Sequence, residues 1–600
     1  MCGIAGAVCF DGLPSRAHRI VGEMTSAVSR RGPDGEGAYR DRYVALGHRR
    51  LAIVDVAGGR QPFCNEDCTV AVVFNGEIYN HRALRTALLK LGHRLSSNCD
   101  GEVIAHLYEE HGDAFLKHIA GMFALALYDR RRGRLILARD RTGEKPLYYA
   151  RMGAVLYFAS TTKALLHACR SSLSLCRQGL LGYFAHTQPI APATIFEQFS
   201  KLPAGHFLAI GPGNASEIRP YWLLSYCRKA HMSPGEAREA LDCVLREAVS
   251  SCLDSDYPLA LTLSGGIDSS LVLSYAVDTP EKAPPSCHTL GAHEEDEEFA
   301  RADAVARQFG LAAQRFCIIG TSYPDMVEAL RAFDEPLNVY DGVYLLQHSR
   351  YIARTHRVAL TGNGADELFG GYDSYLAWGA PPHASDSPAP DPRRSIELML
   401  ASAIEGDAAQ LYGAAMSRFA REYDVAAHMS CMHAVAEYDT AVDARLCYDL
   451  FLGMSHCASL GDTVGMSFGL EYRSPFLHPS VVEFAAALPG YAKLCSLSRA
   501  TKVVLRAVAQ RRIPGISAHA PKLGCGQHID RYALMRAAWR PDIESALRRH
   551  RPLLASYVEP AKAQMLWSSF CDGRTGVEAD RRVLKLVMFV AWLDAHSHLF

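Results

Sequence analysis

One stretch limits the possible folds more than any other: LTLSGGIDSSLVLSYA, residues 261–276. An apolar run, YPLALTL, enters Ser264-Gly265-Gly266-Ile267-Asp268-Ser269-Ser270, and a helical pattern leaves it. A buried-type strand passing through paired glycines into a helix is a parallel α/β unit. The glycines let backbone approach an anion, the first N–H groups of the helix point at it, and the helix dipole favours negative charge. Serine hydroxyls add donors. The Walker pattern is absent, because no lysine follows the second glycine. An acidic residue in a phosphate loop needs a cation beside the phosphate, so Asp268 is a candidate Mg²⁺ ligand.

A second loop repeats the design. In VALTGNGADELFGGY, Thr361, Gly362, Asn363 and Gly364 follow a strand, and Asp366 and Glu367 stand at a helix start. Asp366 is the natural second carboxylate for the same ion. The segments SCHTLGAH, RFCII and RVALTG read as further strands between helices, and beyond Arg394 the pattern is mostly helical. The first two hundred or so residues differ: YVALGHRRLAIVD, TVAVVFNGEIYN, MFALALYDRRRGRLILARD and LYFAS read as strands broken by glycine turns. Helical patterns lie at Ala83–Leu91 and Glu102–His111. Mixed strands with a few helices predict a layered α+β domain. The Gly- and Pro-rich KLPAGHFLAIGPGNASEIRPYW carries the boundary, which predicts domains over 1–215 and 230–600. The segment GAPPHASDSPAPDPRRS is too rich in Pro, Ser and Asp to pack and predicts a loose loop.

Composition excludes several classes. At 600 residues the chain needs more than one core. A formal net charge of -1 leaves no broad electrostatic case for a nucleic-acid or membrane partner. The N-terminus lacks the charged-then-apolar pattern of a signal peptide. The apolar VLKLVMFVAWL is too short to span a bilayer and contains Lys585, so a cytoplasmic protein is expected. Eighteen scattered cysteines fit reduced, buried small side chains. CNEDC (Cys64, Cys68) and HMSCMH (His428, Cys431, His433) have no matching second half, so neither predicts a zinc site.

The loop S-G-G-I-D-S-S resembles the pyrophosphate loop of N-type ATP pyrophosphatases. Together with TGNGADELFGGY and FGLEYRSPFL (Phe468–Leu477), it resembles the synthetase domain of glutamine-dependent asparagine synthetases. MCGIAG, RRGPDGEG, LGHRRLAIVD, FNGEIYN, CDGEVIAHLYEEHG, GMFALALYD and LARDRTGEKPLYY resemble, in order and spacing, the class II glutamine amidotransferase domain. The likeness covers nearly the whole chain and is weakest between Pro381 and Leu446 and after Ile529.

The resemblance implies an Ntn-hydrolase-type layered sandwich followed by a parallel-sheet ATP pyrophosphatase domain with a mostly helical C-terminal part. It implies that Cys2, exposed by removal of Met1, is the nucleophile. A thiol attacks the glutamine amide, and an α-amine with a reference pKa near 8 accepts its proton. The Asn75 side chain and the Gly76 N–H are assigned to the oxyanion. Arg50 is assigned to the glutamine α-carboxylate, and Glu77 and Asp100 to its ammonium group. In the second domain adenine is placed near Thr262, Leu263 and Leu290. Ser264, Gly265, Gly266, Asp268, Ser269, Thr361 and Gly362 border ATP. Lys502 and Lys522 stabilise phosphate charge, and Asp268 and Asp366 hold Mg²⁺. Glutamine, ATP and a carboxylate, aspartate first, are the implied small-molecule partners, and the family pattern allows a homodimer. The expected chemistry forms an amide through an acyl-adenylate. Three positions depart from the pattern: Asn363 replaces an acidic residue, His478 replaces an aspartate after PFL, and an arginine is missing near Thr463. Another carboxylate, such as a natural-product intermediate, therefore stands as the alternative acceptor, with glutaminase activity alone as the minor one.

Overall fold

The computed structural model describes every residue except 1, 170–172, 187, 321, 338–340, 379–390, 427–437 and 517–528, and the side chains of 454–457. Lys522, the cluster of His428, Cys431 and His433, and most of the Pro-rich segment lie outside the described residues. The last residues of that segment open the helix Pro392–Gln410, where the Asp391 side chain accepts from the Arg393 N–H.

The N-terminal domain stacks two antiparallel six-stranded sheets. One runs, in spatial order, Ser200–Lys201, Tyr148–Met152, Val155–Ala159, Cys2–Val8, Val44–Arg50, Gly35–Arg40. The other runs Ser216–Pro220, His206–Ile210, Arg134–Arg139, Gly121–Asp129, Val70–Ile78, Phe63–Cys64. The layering follows from period-2 side-chain direction. In Val70–Ile78, Ala71 and Val73 pack with Ile4, Val44 and Phe158 between the sheets. Val72 and Phe74 point the other way, onto Ile104, Leu107 and Leu116 of the covering helices. On the far side Ala5, Ala7 and Ala45 meet Ile20 and Met24 of the helix Ser15–Ala27. The order is helix, sheet, sheet, helix, the expected layered α+β sandwich. Strand pairing continues past residue 215, because the wholly exposed SEIRP of Ser216–Pro220 pairs with His206–Ile210.

The second domain centres on a five-stranded parallel sheet in the order Ala313–Cys317, Ser286–Gly291, Leu259–Thr262, Val358–Leu360, Glu471–Arg473. The chain starts in the middle strand, winds one way, then returns to wind the other. Strands Leu259–Thr262 and Val358–Leu360 therefore flank a switch point, and both glycine loops leave their carboxyl ends there. A crevice at this place is where open parallel sheets hold ligands. Helices fill the rest of the domain. VLKLVMFVAWL lies within Val577–Ala595 and is buried against the fold. Among the described residues no helix is long and apolar enough to cross a membrane.

Charged contacts join the domains. Asp462, on the helix Ser455–Met466, is fully buried and pairs with Arg31 at 2.8 Å, and Lys145 stands 3.5 Å away. Arg31 also donates through Nε to the Cys2 carbonyl at 3.2 Å. Asp462→Ala strands two buried cations, which costs about 3–5 kcal/mol. Urea unfolding followed by tryptophan fluorescence should show the loss, and a change below about 1 kcal/mol would remove this pair from the list of contacts that hold the domains together.

Candidate functional site

Cys2 starts a strand in one sheet, opposite Arg50. Its backbone N–H donates to Asn75 Oδ1 at 2.9 Å, which ties it to the other sheet. Asn75 is fully buried, and its Nδ2 has no hydrogen-bond partner. An unpaired buried amide N–H₂ is costly, and here it lies beside the Cys2 strand, as an oxyanion donor must. Gly76 has φ +155°, and a Cβ there would stand 2.0 Å from the Met122 carbonyl oxygen, so only glycine permits this strand contact. Burial pushes the Cys2 thiol above its ordinary value, partly offset by the Leu51 backbone and Arg50. A base must therefore take the proton at the moment of attack.

Arg50 donates to the carbonyls of Val56 at 2.8 Å and Asp55 at 2.6 Å. It lines a cleft of about 400 Å³ with Asp34, His48, Arg60 and Gln61. Glu77 and Asp100 are both buried, and burial pushes both carboxyls upward, with Asp100 repelling Glu77. Asp100 accepts the Ile78 N–H at 2.7 Å. Two buried carboxyls raised together mark a place that a cation would stabilise.

One group was not assigned a role in the sequence. Arg473, fully buried on the edge strand Glu471–Arg473, reaches Glu77 at 3.2 Å and Glu471 at 2.5 Å. It also donates to the carbonyls of Cys252 at 2.8 Å and Asp254 at 2.6 Å. Its own carbonyl accepts the Thr361 N–H at 3.0 Å. One residue thus touches the Cys2 pocket, through Glu77, and the second glycine loop. Its segment lies inside the motif FGLEYRSPFL, but a three-residue strand has no periodicity to reveal it.

The glycine loops meet as expected. A Cβ on Gly362 would lie 2.8 Å from the Ser269 nitrogen and 2.9 Å from Asp268 Cβ, so the loops touch through backbone. Gly265 has φ +72° and presses on Arg301 and Ala302 of the neighbouring helix. Ser264 and Ser269 hydroxyls stand 3.2 Å apart, and the Gly266 N–H donates to Ser264 Oγ at 3.3 Å. Thr262 Oγ1 donates to the Leu360 carbonyl at 3.2 Å, Leu263 N–H donates to the His288 carbonyl, and Leu290 is buried in the adjacent strand.

Lys502 Nζ lies 2.7 and 2.6 Å from the two Asp268 oxygens and 2.7 Å from Asp366. Burial pulls its affinity for a proton down, but the two carboxylates outweigh this, and the ammonium is held above its usual pKa. The residues expected as metal ligands therefore converge on one point that already favours positive charge, which fits a divalent cation. Gly371 permits the approach, because a Cβ there would fall 1.8 Å from Asp366 Oδ1. Asn363 is exposed beside this loop. His478 has a structural role: its Nδ1 accepts the Ser480 N–H at 3.3 Å and caps the helix Pro479–Ala487. Its ring also stacks on Tyr79 across the domain boundary.

A pocket with a buried cysteine beside an unpaired buried amide, joined through Arg473 to a glycine-loop crevice in a second domain, has the form of an amidotransferase-coupled ligase. A family model described as a glutamine amidotransferase domain matches residues 1–222, and one described as asparagine synthase matches residues 240–594. The chain belongs to the asparagine synthase family. It is 30% identical over 522 residues to the glutamine-hydrolysing asparagine synthetase 3 of Bacillus subtilis, covering 82% of each protein. Asparagine synthetase 2 of the same organism is also 30% identical, over 82% of this chain and 67% of that protein. The amidase chyE of Penicillium rubens is 31% identical over 63% of this chain and 60% of its own length.

Gly362→Ala should force the two loops apart and weaken ATP binding about tenfold, since overpacking costs about 1–3 kcal/mol. Isothermal titration would measure this. Unchanged affinity in a folded variant would mean that the loops do not share the nucleotide.

Proposed function

We propose that the chain transfers the amide nitrogen of glutamine to a substrate carboxylate, with aspartate as the leading acceptor, and consumes ATP to do so. The observation that carries this is Arg473, which joins Glu77 in the amidotransferase pocket to Thr361 in the phosphate crevice. An isolated glutaminase has no use for that connection.

In the first site, Glu77 and Asp100 receive the glutamine ammonium and are relieved of their mutual repulsion. Arg50 faces the α-carboxylate. The Cys2 thiol attacks the side-chain amide, and the α-amine freed by loss of Met1 takes the proton and passes it to the leaving ammonia. The Asn75 Nδ2–H and the Gly76 N–H stabilise the oxyanion; one such donor is worth about 10²–10³ in rate. Water then hydrolyses the thioester.

In the second site, the Ser264–Ser269 loop cradles the pyrophosphate part of ATP, with Thr361 and Gly362 on its border. Asp268 and Asp366 would hold Mg²⁺, which when bound would supply charge neutralisation at the phosphates. Lys502, beside both carboxylates, supplies further positive charge. The acceptor carboxylate attacks the α-phosphorus, giving an acyl-adenylate, and ammonia displaces AMP to form the amide. Neutral ammonia needs an apolar route, and Leu51, next to Arg50, belongs to the same buried cluster as Met466 and Leu360 of the second domain.

A second acceptor class is favoured by one position. Asn363 can donate a hydrogen bond to a carboxylate or adenylate oxygen but cannot take a proton or attract an ammonium group, as an acidic residue would. Relatives named amidases fit that alternative. His478 does not bear on it, because a helix cap is what the side chain provides.

Cys2→Ala should abolish glutamine-dependent amide formation and leave ammonium-dependent formation within about twofold, because the thiol serves only amide hydrolysis. Product is followed by mass spectrometry over a panel of carboxylic acids that includes aspartate. Failure of ammonium salts to rescue a folded, ATP-binding variant would refute the division of labour.

A further inference from the structure

A second cluster of ligating side chains lies outside both sites. The turn 65–69 carries Glu66 to the loop that follows helix His81–Lys90 and to the outer end of helix Val103–His111. There Glu66, His93, His106 and Glu109 each offer one ligand atom, all within 4.8 Å of one another. His93 Nδ1 is 3.2 Å from Glu66 Oε1 and 3.9 Å from Glu109 Oε2. His106 Nδ1 is 3.4 Å from Glu66 Oε2 and 3.5 Å from Glu109 Oε2. Metal–ligand bonds of about 2.0–2.1 Å in a tetrahedron separate neighbouring ligands by about 3.3–3.4 Å. Three of these four spacings, 3.2–3.5 Å, lie near that edge, and the 3.9 Å spacing needs a small inward movement of the exposed Glu109 side chain.

Two further observations indicate a cation. His106 is 0% exposed, yet neither ring nitrogen makes a hydrogen bond. A buried imidazole with no hydrogen bond, its Nδ1 only facing two carboxylates at 3.4 and 3.5 Å, is costly unless something else occupies its lone pair. His93 Nε2 lies 3.1 Å from Glu110 Oε1. A neutral imidazole has one N–H. If it is given to Glu110, the Nδ1 lone pair faces the Glu66 and Glu109 carboxylates, an arrangement that requires positive charge between them. A carboxylate behind a ligating histidine is the usual outer partner of a metal-bound imidazole. The rival is a singly protonated His93 that donates to both Glu66 and Glu110, but it leaves both ring nitrogens of buried His106 without a hydrogen bond, which a bound ion repairs at Nδ1.

We propose that Glu66, His93, His106 and Glu109 bind a structural Zn²⁺ ion on the outer face of the amidotransferase domain. Two imidazoles with two carboxylates suit a transition ion rather than Mg²⁺ or Ca²⁺, which take oxygen ligands. The ion ties three separate segments together. One is the helix Val103–His111, which directly follows the turn bearing Asp100, so the metal steadies the backbone that presents a glutamine-pocket carboxylate. The motif CNEDC contributes to this site through its central glutamate, not through its cysteines.

The test uses the full chain, stripped with chelator, dialysed and titrated with Zn²⁺ alone. One ion per chain should bind, raise the melting temperature, and be replaced by Co²⁺ with tetrahedral visible bands but no thiolate charge-transfer band. His93→Ala should remove it. The exposed changes Glu109→Gln and Glu110→Gln avoid the buried core; Glu110→Gln should weaken affinity about 10–100-fold. Cys64→Ser with Cys68→Ser should retain the ion. Absence of stoichiometric zinc in the wild-type chain, wild-type affinity in both the Glu109→Gln and Glu110→Gln variants, or loss of zinc on removing the two cysteines would overturn the proposal and leave the cluster as histidinium–carboxylate ion pairs.

Discussion

The guanidinium of Arg473 is the contact on which the two-domain arrangement turns. It is wholly buried, and it is supported by Glu77, Glu471 and two backbone carbonyls at once. A buried arginine is tolerable only when paired: Nε and Nη1 donate to Glu471 and the two carbonyls, Nη2 faces Glu77 as an ion pair, and removing a partner from such a group costs several kcal/mol. Here the partners come from both domains, so the amidotransferase pocket and the parallel sheet cannot shift apart without exposing a charge. Its backbone carbonyl holds the start of the second glycine loop. Geometry at Glu77 is thereby linked to geometry at Thr361 through a single side chain and its own main chain.

The same electrostatic device appears at both sites. Glu77 and Asp100 are carboxyls forced together by burial, and Asp268 and Asp366 are carboxylates gathered around Lys502. Each pair is unfavourable alone and is offset by a cation: Arg473 beside Glu77 in one case, Lys502 between Asp268 and Asp366 in the other. Glycines make these convergences possible. Gly371 lets Lys502 reach Asp366, Gly362 lets the two loops touch, and Gly76 lets its strand lie against Met122.

Much of this was legible in the sequence because it is written locally. The strand–loop–helix at Ser264–Ser270, its echo at Thr361–Asp366, and the period-2 strands of the first domain all carry their own signals over a few residues. Other parts are written only in three dimensions. Ser216–Pro220 is exposed and contains proline, so nothing in its composition marks a strand; pairing with His206–Ile210 creates it. Glu471–Arg473 is too short to show alternation. Asp268 and Lys502 meet across 234 positions, which no spacing rule reaches. The cysteines of CNEDC draw the eye, while the group that joins a cluster of possible ligands is Glu66, and its neighbours His93 and His106 come from other elements. His478 looked like a substrate-determining change and is a helix cap, because imidazole Nδ1 accepts from a backbone N–H as a carboxylate does.

The most direct measurement follows nitrogen and phosphate together in one reaction. Glutamine labelled with ¹⁵N in its side-chain amide is supplied with ATP, Mg²⁺ and the best carboxylate acceptor, and the products are quantified by mass spectrometry and phosphorus NMR. The expected result is ¹⁵N in the amide product, with AMP and pyrophosphate formed in equal amounts to it. Glutamate released without AMP, or ATP cleaved to ADP and phosphate, would contradict it.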